Sequence, residues 1–147
     1  MGAPREFISP PPNGADLSGS KSLAVLLVDD TIDHLTLNKA ILESERYKVF
    51  TASSGRIALG ILSEIAQPDL ILLDMQMAEM SGLEFITELE NTRPGILKNV
   101  PIVFLTGMNE VPESKATGVI KKPVDIENFL VSVRRFIEQG PKHQNSH

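Results

Sequence analysis

Three short apolar runs, each closed by a polar residue, constrain this chain more than any other feature. Residues 23–28 (LAVLLV) end in Asp29 and Asp30, residues 70–73 (LILL) in Asp74, and residues 102–105 (IVFL) in Thr106. A strand with one face in water alternates apolar and polar side chains. A short run without alternation fits a strand covered on both faces, which is the situation in a parallel sheet flanked by helices. Residues 47–51 and 117–121 are weaker candidates for two further strands.

The stretches between these runs carry helical spacing. Ile126, Phe129, Leu130, Val133, Phe136 and Ile137 recur at i, i+3, i+4 and i+7 and would share one helix face. Leu35, Leu37, Ile41 and Leu42 mark an earlier helix. Ala58, Leu59, Ile61, Leu62 and Ile65 mark a second, and Leu83, Ile86 and Leu89 a third. Strands alternating with helices imply parallel pairing through right-handed crossovers. Five such strands suit an α/β, flavodoxin-like, doubly wound sheet of order 2-1-3-4-5. In such sheets the functional groups gather beyond the carboxyl ends of the strands, at the point where the strand order reverses.

The ends of the chain read differently. Residues 1–21 are rich in Pro, Gly and Ser and read as a flexible linker; Gly140 and Pro141 read as a helix stop, with residues 140–147 a frayed tail. That leaves residues 22–139 as one domain. A net charge of −5, with no Lys/Arg-rich stretch, gives no footprint for nucleic acid. No cysteine is present, which excludes disulfides, thiolate metal sites and thiol catalysis. The apolar runs are too short to insert into a membrane, and no basic-then-apolar leader pattern opens the chain, so a cytoplasmic protein is expected.

The proposed topology brings the polar strand ends together. Asp29 and Asp30 end strand one, Asp74 ends strand three, Thr106 ends strand four, and Lys122-Pro123 follows strand five. Taken singly, each has an ordinary explanation: a helix cap for the acids, a strand terminus for the threonine, a solvated surface for the lysine. Together they make a chemical set. Clustered carboxylates raise one another's pKa and call for a counter-cation. A hard divalent ion such as Mg²⁺ suits them, because it takes few carboxylates and keeps positions for water and phosphate oxygens. A carboxylate beside such an ion can attack a phosphoryl donor and become an acyl phosphate. The transfer asks the protein chiefly for positioning and for positive charge at the phosphoryl oxygens, which Lys122 and the Thr106 hydroxyl could supply.

These residues resemble the receiver domain of bacterial response regulators. The resemblance is carried by Val28-Asp29-Asp30, by the segment from Leu72 to Glu84 around Asp74, by Phe104-Leu105-Thr106-Gly107 and by Lys121-Lys122-Pro123-Val124. It implies that Asp74 is the phosphoacceptor, that Asp30 binds Mg²⁺ directly and Asp29 through a water, and that the backbone carbonyl of Gln76 completes the protein ligands. Thr106 would be the switch hydroxyl, Lys122 the lysine that contacts the phosphoryl group, and the Lys122-Pro123 bond cis. It also implies a histidine kinase or histidine phosphotransfer protein as donor, a downstream protein target, and a signalling phosphoacceptor that drives its own phosphorylation and dephosphorylation rather than an enzyme.

Several positions depart from the family pattern. Ala78 stands where proline is usual, Ser81 where Asp or Asn is frequent, Gly107 where alanine is common, and Val119 where receivers place an aromatic switch residue. The stretch from Thr106 to Lys122 is several residues short, contains Pro112 and lacks an apolar stripe, so the fourth helix, between strands four and five, is expected to be short or missing. These departures keep a second reading open, a receiver-like interaction module working without phosphorylation. A third, an aspartate-nucleophile phosphohydrolase, would want a second acid two residues after Asp74, where Gln76 stands. His34, early in the first helix, is expected to be a partly exposed surface histidine, and Met75, Met77 and Met80 are expected to pack around the loop after Asp74.

Overall fold

The computed structural model describes residues 22–141; the linker expected over residues 1–21, and all but the first two residues of the tail expected over 140–147, lie outside them. The elements run β1 Ala24–Val28, α1 Ile32–Glu43, β2 Lys48–Ala52, α2 Gly55–Leu62, β3 Leu70–Asp74, α3 Gly82–Thr92, α4 Pro94–Asn99, β4 Ile102–Thr106, β5 Gly118–Lys121 and α5 Ile126–Gln139. The five strands form one parallel sheet in the order β2-β1-β3-β4-β5, the flavodoxin-like order expected. No helix among the described residues is long and apolar enough to cross a membrane.

Why the runs lack alternation is visible in the packing. Strand side chains point alternately to opposite faces, and here both faces are covered. Leu26, Val28, Ile71, Leu73, Ile102 and Phe104 pack with Ala58 and Leu62 of α2, Phe85, Ile86 and Leu89 of α3, and Ile96 of α4. Their neighbours Val25, Leu27, Leu70, Leu72, Val103, Leu105 and Ile120 face the other way. They meet Leu35 and Leu42 of α1 and Phe129, Val133 and Phe136 of α5. Two stripes narrow relative to the sequence reading: Leu37 is 59% exposed and Ile126 is 57% exposed, because each sits at the rim of its helix face rather than under it.

The segments on either side of β4 shape the helical layers. Pro94 cannot continue α3 but is well suited to a first helical turn, so it opens the separate short α4, which buries Ile96. Sequence spacing alone did not separate that helix. Between β4 and β5, residues 107–117 form no helix. Met108, Val111 and Ala116 from this connection pack instead on the core shared with α2 and α3. The connection is anchored where it re-enters the sheet: Thr117 accepts through Oγ1 from the Ile102 amide (3.1 Å), and its own amide donates to the Ile102 carbonyl (2.7 Å).

Arg46, in the turn after α1, is held at φ 70°. A side chain there crowds its own backbone, at a cost of about 1–2 kcal/mol, partly offset in an Arg46→Gly variant by the greater freedom of glycine in the unfolded chain. We expect Arg46→Gly to stabilise the domain by about 0.5–1 kcal/mol and raise Tm by a few degrees in thermal unfolding. An unchanged or lower Tm would show that the turn is not strained.

Candidate functional site

The register of the sheet dictates which strand ends meet. Val28 lies beside both Ala52 and Leu73, so the residues just past it, Asp29 and Asp30, arrive next to Asp74. Asp74 pairs with Leu105 and Thr106 with Lys121, which sets the Thr106 hydroxyl and Lys122 along the same edge. One carboxylate oxygen from each of Asp29, Asp30 and Asp74 lies within 4.8 Å of the other two. Asp29 is buried, Asp74 half-buried and Asp30 exposed, so the cluster opens to solvent on the Asp30 side.

Each acid is tethered. The Thr31 amide donates to Asp29 Oδ1 (2.9 Å), and His34 Nδ1 lies 3.2 Å from Asp29 Oδ2. The Gln76 amide donates to Asp74 Oδ1 (3.1 Å), and the Ala78 amide to Asp30 Oδ2 (2.9 Å). Asp30 Oδ1 and Asp74 Oδ2 accept no hydrogen bond from the described residues. Burial pushes the Asp74 carboxyl above the usual carboxylate range, and the neighbouring charges of Asp29 and Asp30 add to that. The Gln76 amide and the Lys122 ammonium pull it back.

Thr106, almost fully buried at the end of β4, accepts through Oγ1 from the Met108 amide (3.1 Å), leaving its own O–H to donate. The Lys122 amide donates to the Thr106 carbonyl (2.7 Å), and the Lys122-Pro123 bond is cis. The loop after Asp74 is built to stay in place. Met75 and Met77 are buried in the core, the Gly82 amide donates to the Met75 carbonyl (2.9 Å), and Ser81 and Glu84 form a reciprocal capping box at the start of α3.

All six positions singled out from sequence therefore sit along one edge of the sheet: Asp29, Asp30, Asp74, Thr106 and Lys122 at or just past the strand ends, and Gln76 in the adjoining loop. Two contacts were missed. His34 is partly exposed on the helix surface as expected, and it also reaches Asp29; its place in the first turn of a helix that starts three residues after Asp29 is the signal that could have pointed there. The Ala78 amide has only a negative signal, the absence of proline.

Residues 25–134 match the response regulator receiver domain. The chain belongs to that family. Among curated relatives it is 30% identical to the sporulation initiation phosphotransferase F of Bacillus subtilis (strain 168) over 119 residues, which is 77% of this chain and 92% of the relative. It is 33% identical to the transcriptional regulatory protein ZraR of Escherichia coli (strain K12) over 120 residues, 78% of this chain. The chain spans only about a quarter of that regulator's length, 26%. The solved structure of the Vibrio cholerae chemotaxis protein CheY4 superimposes with a TM-score of 0.70 at 33% identity, covering 78% of this receiver and 98% of CheY4. These likenesses agree with the five-stranded order, and the connection between β4 and β5 carries no helix, as the short stretch from Thr106 to Lys122 led one to expect.

Family receivers bind Mg²⁺, and the donors here suit it. The acid triad offers only hard carboxylate oxygens, two of them uncommitted, and Asp74 is raised in pKa in part by its acidic neighbours, a repulsion that a divalent cation removes.

Proposed function

We propose that this receiver accepts a phosphoryl group on Asp74 in a two-component phosphorelay, from a histidine kinase or histidine phosphotransfer protein. The observation that carries the reading is the convergence of Asp29, Asp30 and Asp74 within one cation's reach, with Thr106 and Lys122 at the ends of the next two strands. Asp74 Oδ2, free of hydrogen bonds among the described residues, is the nucleophile. It forms a new O–P bond as the donor's N–P bond breaks, and the donor imidazole leaves with the bonding electron pair. Lys122 neutralises charge on the transferred oxygens, and the Thr106 hydroxyl donates to one of them.

Asp30 and the Gln76 carbonyl would hold Mg²⁺, with Asp29 acting through water, beside Asp74. The ion, when bound, offsets the negative charge of the acids and of the incoming phosphoryl group. The Gln76 amide holds Asp74 Oδ1 and leaves Oδ2 free of hydrogen bonds among the described residues. Residues 22–139 make up the receiver unit, and its output passes to a downstream protein in the cytoplasm; no separate small substrate is turned over. A protein donor has a landing surface in an apolar groove of about 630 Å³ beside Lys122, walled by Leu37, Ile41, Leu105, Val124 and Phe129.

The test is intact-mass analysis after incubation with acetyl phosphate. A gain of one phosphoryl group with Mg²⁺, and none in excess chelator, supports the reading. Failure to gain mass from acetyl phosphate or from histidine-kinase donors, with Mg²⁺ binding intact, favours the second reading, an interaction module independent of phosphorylation. The helix-free 107–117 connection and the exposed Val119 beside it are the observations behind that alternative.

A further inference from the structure

Asp30 is the one exposed member of the acid triad. An exposed aspartate turns freely between rotamers, and in the absence of a cation it is repelled by Asp29 and Asp74 toward solvent. Here it is held. The Ala78 amide donates to Asp30 Oδ2 at 2.9 Å across a sequence separation of 48 residues, joining the end of β1 to the β3–α3 loop. The donor itself is anchored on both sides. Met77 is buried in the core, and Met80 packs so tightly on Gly55 that a Cβ there would lie 2.7 Å from Met80 Sδ. Past Met80, the Ser81 capping box fixes the loop to α3.

We propose that Ala78 is a positioning residue for the cation site: its backbone N–H occupies Asp30 Oδ2 and so presents Oδ1, already oriented, to the divalent ion. The inference rests on the phosphoacceptor reading for the identity of the ion, and extends it to a residue whose side chain takes no part. Proline at this position has no N–H and cannot make the contact. Without the tether, Asp30 must be immobilised at the moment of binding. Ordering one such side chain costs enough to weaken binding roughly 3- to 10-fold. The tether also explains how an exposed carboxylate can stay in the cluster in the cation-free protein, against the repulsion of two neighbouring acids.

The test is calorimetric titration of the whole chain with magnesium chloride, comparing wild type, Ala78→Pro and Ala78→Gly. Ala78→Pro is expected to raise the Mg²⁺ Kd roughly 3- to 10-fold, and Ala78→Gly, the conservative variant that keeps the N–H, to recover wild-type binding. Equal affinity in wild type and Ala78→Pro overturns the role of Ala78 alone, as does a loss in Ala78→Gly equal to that in Ala78→Pro. Wild type failing to bind Mg²⁺ overturns the reading of the site itself. A second measurement needs neither the cation nor a folded proline variant: the amide resonance of Ala78 in chelator, recorded in wild type and Asp30→Ala. An upfield movement on losing the acceptor supports the hydrogen bond, and an unmoved resonance overturns it.

Discussion

Asp74→Asn is expected to take up no phosphoryl group under conditions that label the wild type fully, and to unfold at a higher temperature at neutral pH. The first result follows from the chemistry of the nucleophile. An amide oxygen carries no full negative charge and cannot form a stable acyl phosphate, while the geometry of Asp29, Asp30, Thr106 and Lys122 is left in place. Residual labelling would mean that another acid substitutes for Asp74, with Asp30 the exposed candidate in the cluster.

The second result follows from the electrostatics. Asp74 is raised above its ordinary pKa, first by burial and then by Asp29 and Asp30. A raised acid binds its proton more readily in the folded state than in the unfolded chain. It therefore favours folding in acid, below its unfolded pKa, and that contribution is lost as the pH rises through the folded pKa. At neutral pH the ionised Asp74 weakens the fold, and a neutral Asn does not. Because the carboxylate is half exposed, water screens the repulsion, and the gain is at most about 1 kcal/mol, a few degrees in Tm. Thermal unfolding in chelator against pH checks it. The advantage of Asp74→Asn should fade below about pH 4, where the wild-type carboxyl is itself neutral. An advantage that persists in acid would point to packing rather than charge.

The same cluster shows why so much of the molecule was readable in the sequence. Runs such as LAVLLV and LILL can be satisfied only by burial on both faces, so the parallel sheet and its helical layers followed, and the strand-end acids followed from the sheet. The fit of α5 to its spacing has the same origin, with Phe129, Val133 and Phe136 all in the core. What did not follow was set by tertiary context. The exposure of Leu37 and Ile126 depends on where each helix sits on the sheet rather than on its period. The short helix that Pro94 opens lies beyond the stripe of Leu83, Ile86 and Leu89, and spacing did not mark it. The tethers on the acids, His34 apart, are backbone amides, donors that every residue but proline carries, so residue identity says almost nothing about where they point. Ala78 and Asp30 become neighbours only because β1 and β3 lie side by side.

That dependence of the site on close packing behind it is most exposed at Gly82. Gly82→Ala is expected to destabilise the domain by about 2–3 kcal/mol, lowering Tm by roughly 10 °C, and to slow phosphoryl uptake in the protein that remains folded. Gly82 is the buried first residue of α3, directly beneath the loop that follows the proposed phosphoacceptor. A Cβ there would lie 2.7 Å from Phe104 Cε1, 3.0 Å from Met75 Cα and 3.1 Å from the Asp74 carbonyl oxygen. Phe104 is fully buried and has little room to turn aside. The other two contacts are backbone, so the strain is relieved only by moving α3 or by lifting residues 74 and 75 from their place beside Asp29. A smaller residue at 104 separates the two effects. Gly82→Ala combined with Phe104→Leu removes the ring contact but leaves both backbone contacts. Relative to Phe104→Leu alone, the added methyl should then cost less stability than it does in wild type, yet still slow uptake. Thermal unfolding and the rate of labelling by acetyl phosphate, measured on the four proteins of that cycle, test this directly. If adding the methyl cost stability but left the labelling rate unchanged on both backgrounds, the position of the Asp74 backbone would not control the chemistry of its side chain.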